Sequence, residues 1–77
     1  MKNLEKKIFK IVSKSLGISE KKLTLKSSSN DFNEWDSLSA VRMLIMLNDE
    51  FNIKINVSSF DKLNSIMDIK KHIEKKL

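Results

Sequence analysis

Leu4, Ile8, Ile11, Val12 and Leu16 recur at spacings of four, three, one and four, which is one face of a helix with a 3.6-residue period. Lys6, Lys10 and Lys14 repeat at i, i+4 on the other side. Gly17 follows the last apolar position, where a left-handed residue commonly closes a helix, and Ile18 is placed to fold back against Val12. No sustained period survives from Ser19 to Asp36. Ser27, Ser28, Ser29 and Asn30 read as a polar loop, with Leu23, Leu25, Phe32 and Trp35 as apolar pins that tie it down. So long a connection in so small a chain is uncommon and often functional. A second helix is predicted from Asp36 or Ser37 to about Phe51, with Asp36 as its N-cap. Met43, Leu44, Leu47 and Phe51 form its inward stripe, with Met46 at the edge, and Leu38, Val41 and Ile45 form a second apolar stripe. Such a helix is either buried nearly all round or docks something. After Ile53 and Ile55, the stretch from Val57 to Leu63 leaves room for a turn or two of helix. A last helix starts at Ser65, where Asp68 three residues on makes a near capping box, and it turns Ile66, Ile69 and Ile73 inward. The expected fold is all-α: a small bundle of three principal helices plus one short helix, with a long loop between the first two, in one domain over residues 1–77.

Composition narrows what can hold such a bundle together. A chain of 77 residues removes from water about 60% of the surface that its unfolded form exposes, so the core is thin. There is no Cys for a disulfide or a thiolate zinc site, no Pro, and a single Gly, which leaves helix packing to supply the stability. The longest apolar run, Met43 to Leu47, is far too short to span a bilayer. Lys10 and Lys14 interrupt the one stretch that resembles a signal-peptide core. A soluble, cytoplasmic protein is expected.

The net charge of +5 suggests an acidic partner, but its distribution changes that picture. Residues 1–30 hold eight lysines against Glu5 and Glu20, and residues 70–77 hold four lysines against Glu74. Between them, seven acids face Arg42, Lys54 and Lys62, so a site in the middle of the chain works in a negative field. A nucleic-acid binder using Lys6, Lys10, Lys14, Lys70, Lys71 and Lys75 is the alternative from another class. Those lysines lack interleaved aromatics, and the central helix has Arg42 as its sole base, which makes it a poor groove reader.

Catalytic chemistry finds little support. His72, between Lys71 and Ile73, reads as part of a basic solvated face rather than of a triad. One glycine cannot build a phosphate-cradling loop. Asp31, Asn33 and Trp35 start like a calcium loop, but Asp36 stands where the turn needs Gly and Arg42 where the last ligand would be Glu. Asp49 and Glu50 read as a solvated helix face.

What remains is Asp36-Ser37-Leu38, at the end of a long tethered loop and the start of an amphipathic helix. A serine there lies beside unpaired N–H groups and the positive end of the helix dipole, so a phosphodiester on it would be favoured. A plain capping serine fits the same residues, and on these alone both readings stand.

A wider pattern bears on the choice. Leu16-Gly17-Ile18, Leu23-Thr24, Asp36-Ser37-Leu38, Met43, Leu47, Asp49-Glu50-Phe51, Ile53, Ile55, Leu63, Ile66 and Ile69 together resemble the acyl carrier protein family, with its peptidyl and aminoacyl relatives, from about Leu4 to Leu77. No single piece of this is specific; the conjunction is. The resemblance implies that Ser37 accepts 4′-phosphopantetheine from coenzyme A through a separate phosphopantetheinyl transferase, with Asp36 helping to present the site. The arm would supply the thiol that a chain without Cys lacks, and Ser37 would be an acceptor, not a catalyst. It further implies a non-catalytic, monomeric carrier for fatty acid or lipid biosynthesis, or for an aminoacyl or peptidyl pathway. Leu38, Val41, Arg42 and Ile45 would dock the loading and transfer enzymes, with no nucleic acid and no membrane span involved. Docking of this kind is transient and steered by charge. The stripe could instead lie under the loop, beneath Phe32 or Trp35. Met43, Met46 and Met67 read as adaptable core filling rather than as a seat for the cargo.

The chain also departs from the pattern. Ser39, Arg42 and Asn48 stand where fatty-acid-synthesis carriers commonly show acids, Glu34-Trp35 replaces a small pair before Asp-Ser, and Asn56 replaces a usual Pro. With the basic ends, these point to a specialised pathway, such as surface-polymer or secondary-metabolite assembly, rather than the main fatty-acid synthase.

Overall fold

Each periodic segment of the sequence becomes a helix. The computed structural model describes residues 2–77, with α1 over Lys2–Leu16, α2 over Ser37–Phe51, α3 over Val57–Phe60 and α4 over Ile66–Lys76. Two 3-10 turns, Glu20–Lys22 and Ser29–Asp31, lie in the long connection between α1 and α2. Among the described residues there is no strand, and one isolated bridge joins Ser28 to Ser65. No described helix is long and apolar enough to cross a membrane.

Helix ends follow the local chemistry. Gly17 adopts φ +70°, and the N–H groups of Gly17 and Ile18 both donate to the Ser13 carbonyl, at 2.8 and 3.1 Å. The α2 terminus repeats the device with Asn52 at φ +52°, whose N–H, like that of Ile53, donates to the Asn48 carbonyl. Asparagine tolerates the left-handed region through its short polar side chain, so no second glycine is required. At α4, the Ser65 hydroxyl oxygen accepts the Asp68 N–H at 3.1 Å, which is the serine half of the anticipated box.

The core forms where α1, α2 and α4 meet. Ile8, Val12, Met43, Leu47, Ile66, Ile69 and Ile73 are fully buried, and Leu4, Ile11, Leu16, Leu23, Trp35, Leu44, Ile55 and Phe60 close around them. Ser13 and Ser15 share the buried side of α1, and each hydroxyl donates to a carbonyl one turn back, Lys10 and Ile11 respectively, at 2.9 Å.

The long loop is ordered because both its side chains and its backbone are used. Leu23 and Trp35 are buried, and Leu25 and Phe32 are half-buried against the core. Its carbonyls accept the leading N–H groups of α4: Ile66 donates to Ser27 at 3.0 Å and Met67 to Leu25 at 3.2 Å. Ser29 in turn donates to the Asn64 carbonyl at 2.7 Å. Donors that a helix start leaves without intrahelical partners are thereby satisfied.

Two residues of α4 depart from the solvated basic face expected of them. His72 is half-buried, because position 72 follows Ile69 by three and borders Ile73 at the edge of the inward stripe, and its buried Nε2 has no hydrogen-bond partner among the described residues. Lys70 is half-buried too, and its ammonium bonds the Glu5 carboxylate of α1 at 2.8 Å. That bond holds the Glu5 carboxyl below the usual carboxylate range and raises the Lys70 ammonium above its own. The signs then differ. Glu5, lowered on folding, contributes stability that is complete above its unfolded pKa and is lost as pH falls below about 4; Lys70, raised, contributes fully below its unfolded pKa and loses this above about 10. Urea midpoints are expected to fall on both the acid and the alkaline side of these limits, with a shallower acid arm in Glu5→Gln.

Candidate functional site

The segment entering α2 is anchored by Trp35, whose indole is turned into the core. Asp36 then takes an extended conformation, φ −117°, which places its carboxylate over the first turn. Asp36 Oδ1 accepts the Ser39 N–H at 2.9 Å, and Ser39 Oγ accepts the Asp36 N–H at 2.9 Å, so the capping box is closed in both directions. The Ser39 hydroxyl donates onward to the Glu34 carbonyl at 2.7 Å. The Ser39 N–H holds the Asp36 carboxyl below the usual carboxylate range, so this cap loses strength in acid, in the same direction as Glu5.

Ser37 is the first residue of α2, is exposed, and its hydroxyl has no hydrogen-bond partner among the described residues. The plain capping role is therefore not its own: Asp36 and Ser39 perform it. The hydroxyl lies at the positive end of a 15-residue helix. It borders two surface clefts between α2 and α3. One, of about 230 Å³, is walled by Trp35, Asp36, Phe60 and Leu63. The other, of about 210 Å³, is apolar, walled by Val41, Leu44, Val57 and Phe60. Among the described residues no side chain is hydrogen-bonded to the Ser37 hydroxyl, so none is placed to take its proton. An unengaged, accessible hydroxyl at a helix start, with open space on two sides, fits a phosphodiester-linked arm. Among the described residues no group of three or more His, Cys, Asp or Glu is arranged to hold a metal ion.

The second apolar stripe of α2 is in solvent. Leu38 is 63% exposed, Val41 41% and Ile45 62%, and Arg42 beside them is exposed as well. The alternative in which the loop covers this stripe is thereby overturned, since Trp35 goes to the core and Phe32 packs against it. Met43 fills the core completely, while Met46 stays at the α1–α2 edge, where its sulfur accepts the Ser15 hydroxyl at 3.6 Å.

Sequence reasoning missed two residues of this neighbourhood. Ser39 was read as an outward departure from an acidic face, yet it is buried in the cap; the signal was there in the i, i+3 spacing from Asp36. Asn48, read the same way, turns inward and clamps the chain after α2: its Nδ2 donates to the Ile55 carbonyl at 3.2 Å and its Oδ1 accepts the Ile55 N–H at 3.0 Å. Of the three, Arg42 alone is exposed.

Comparison with known proteins identifies the family. The family model described as "Phosphopantetheine attachment site" matches residues 6–73. An acyl carrier protein of Buchnera aphidicola subsp. Baizongia pistaciae is 38% identical over 69 residues, covering 90% of this chain and 88% of that protein. One from the Schizaphis graminum subspecies is 39% identical over 66 residues, covering 86% and 84%. A third, from the Acyrthosiphon pisum subspecies, is 34% identical over 76 residues, covering 99% and 95%. A match over nearly the whole chain, to a model named for covalent attachment of phosphopantetheine and to these relatives, places the chain in the acyl carrier protein family.

Proposed function

We propose that Ser37 is the residue that takes the 4′-phosphopantetheine arm, and that the chain is a non-catalytic carrier holding an acyl group as a thioester and passing it between enzymes. The observation that carries this is the Ser37 hydroxyl itself: exposed, unbonded, and relieved of capping by Asp36 and Ser39. When bound, the arm supplies the thiol that the chain lacks. The protein's own residues hold the acceptor in place. Trp35 fixes the approach to α2, the Asp36–Ser39 box fixes the first turn, and the helix dipole favours the negative charge of the attached phosphodiester. Asp36 Oδ1 is engaged by the Ser39 N–H, and the exposed carboxylate lies beside Ser37, where it helps present the site to the transferase.

Leu38, Val41, Arg42 and Ile45 form the docking surface beside that site, for a phosphopantetheinyl transferase and then for loading and transfer enzymes. The cargo is acyl rather than aminoacyl, in keeping with the named relatives. The carrier acts as a single-domain monomer in the cytoplasm and serves a specialised pathway, a reading supported by the basic Arg42 on the docking side. Three of the six lysines that a nucleic-acid reading would need are engaged or bordered by acids: Lys70 bonds Glu5, and Lys10 and Lys14 share a cleft with Asp49 and Glu50.

Incubation of the full chain with coenzyme A, magnesium and a broad-specificity phosphopantetheinyl transferase is expected to add one phosphopantetheine, read by intact mass and mapped by fragmentation to the Ser37 peptide. An unmodified chain that is retained on DNA in a salt-sensitive manner would overturn the proposal.

A further inference from the structure

On the outer side of α2, Leu38, Arg42, Ile45 and Asp49 follow one another at spacings of four, three and four, so they form one row. Leu38 and Ile45 are 63% and 62% exposed, and the Arg42 side chain stands between them. The positions within helical reach of Arg42, three or four residues away, are Leu38, Ser39, Ile45 and Met46, none of them acidic. Among the described residues Arg42 makes no ion pair, whereas Lys7 pairs with Glu50 and Lys70 with Glu5. The row is thus an apolar strip with an uncompensated guanidinium in its middle and a carboxylate at its far end.

A protein that covers this strip removes water from the guanidinium. The cation then either meets a carboxylate or is buried unpaired, which is strongly unfavourable. An arginine presents a fixed planar fork that suits bidentate pairing with a carboxylate, so the geometry of its partner matters more than for a lysine. Resting on the carrier reading above, we infer that Arg42 sets partner specificity: it selects proteins that offer an apolar surface around a carboxylate and rejects those that offer a basic patch. Two copies of the row laid antiparallel would also match Arg42 to Asp49. A row this short suits a small, transient contact, and the occupant assigned to it is a heterologous protein bearing the carboxylate that Arg42 calls for.

The test uses two synthetic helical peptides with leucines flanking a central residue that is Glu in one and Lys in the other, titrated into the 15N-labelled full chain. The Glu peptide is expected to bind about threefold to tenfold more tightly, with amide shifts over residues 38–49 and a preference that fades with salt. Arg42→Glu, an exposed change with uncharged helical neighbours, is expected to keep the fold and to invert the preference. Equal affinities, a preference unchanged in Arg42→Glu, or shifts away from α2 would overturn the inference. So would a concentration-dependent dimer in sedimentation velocity, which assigns the row to a second copy, or capture by phosphatidylglycerol vesicles that Arg42→Glu abolishes, which assigns it to lipid. Intact mass after transferase treatment separates the two levels. A modified wild-type chain without peptide preference sinks this inference alone, and an unmodified one sinks the carrier reading.

Discussion

Ser37→Ala is expected to take up no phosphopantetheine at all while melting within about 2 °C of wild type. The reason is the division of labour at the start of α2. The Ser37 side chain is exposed and bonds nothing among the described residues, so its removal leaves no unpaired partner, and alanine is the best helix former at that position. Ser39→Ala is the informative control. It removes the acceptor of the Asp36 N–H and the donor to the Glu34 carbonyl in a buried place, and is expected to cost about 1–2 kcal/mol by urea denaturation. It nevertheless retains the Ser37 hydroxyl and is expected to be modified, at a reduced rate. Intact mass and thermal circular dichroism read both outcomes. A Ser37→Ala chain that still gains the adduct would move the attachment point elsewhere.

The second large effect concerns the two sides of α2. Leu47 is fully buried and Ile45, two residues before it, is 62% exposed. Leu47→Ala is expected to lose about 2–5 kcal/mol, from the lost transfer free energy and the cavity left behind. A domain of this size has roughly 4–12 kcal/mol in total, so this variant populates unfolded chain near physiological temperature. Ile45→Ala is expected to change stability by less than about 0.5 kcal/mol, since it leaves no cavity. If the proposed docking surface is right, its effect is expected instead as slower loading by partner enzymes. Urea midpoints for both, with holo-carrier loading rates for Ile45→Ala, check the pair; a destabilised Ile45→Ala would make the stripe part of the core.

Much of this architecture was legible because helical periodicity is a local signal. The α1 stripe from Leu4 to Leu16, the left-handed Gly17, the Asp36 cap, the extent of α2 and the Ser65 start of α4 all follow from spacings of one to four residues. Ser37 was legible as a candidate for the same reason, though whether it capped or stayed free depended on Ser39, whose buried hydroxyl looks on paper like any surface serine. Asn48 was misread because its partner, Ile55, lies beyond the helix end and outside any helical repeat. The burial at His72 and the Lys70–Glu5 pair were beyond sequence reasoning, because both depend on how close α4 lies to its neighbours. Exposure of the Leu38–Val41–Ile45 stripe was undecidable until the path of Trp35 was known.

The bonds between the α1–α2 connection and the start of α4 have a consequence for how this domain comes into being. Carbonyls of Leu25 and Ser27 find their donors in Ile66 and Met67, far along the chain and beyond α2 and α3. The segment leading to Ser37 therefore has part of its backbone bonding only once α4 has docked beside it. Its setting is thus tied to closure of a long-range contact rather than to local coiling, which makes this loop a late arrival among the parts of the fold.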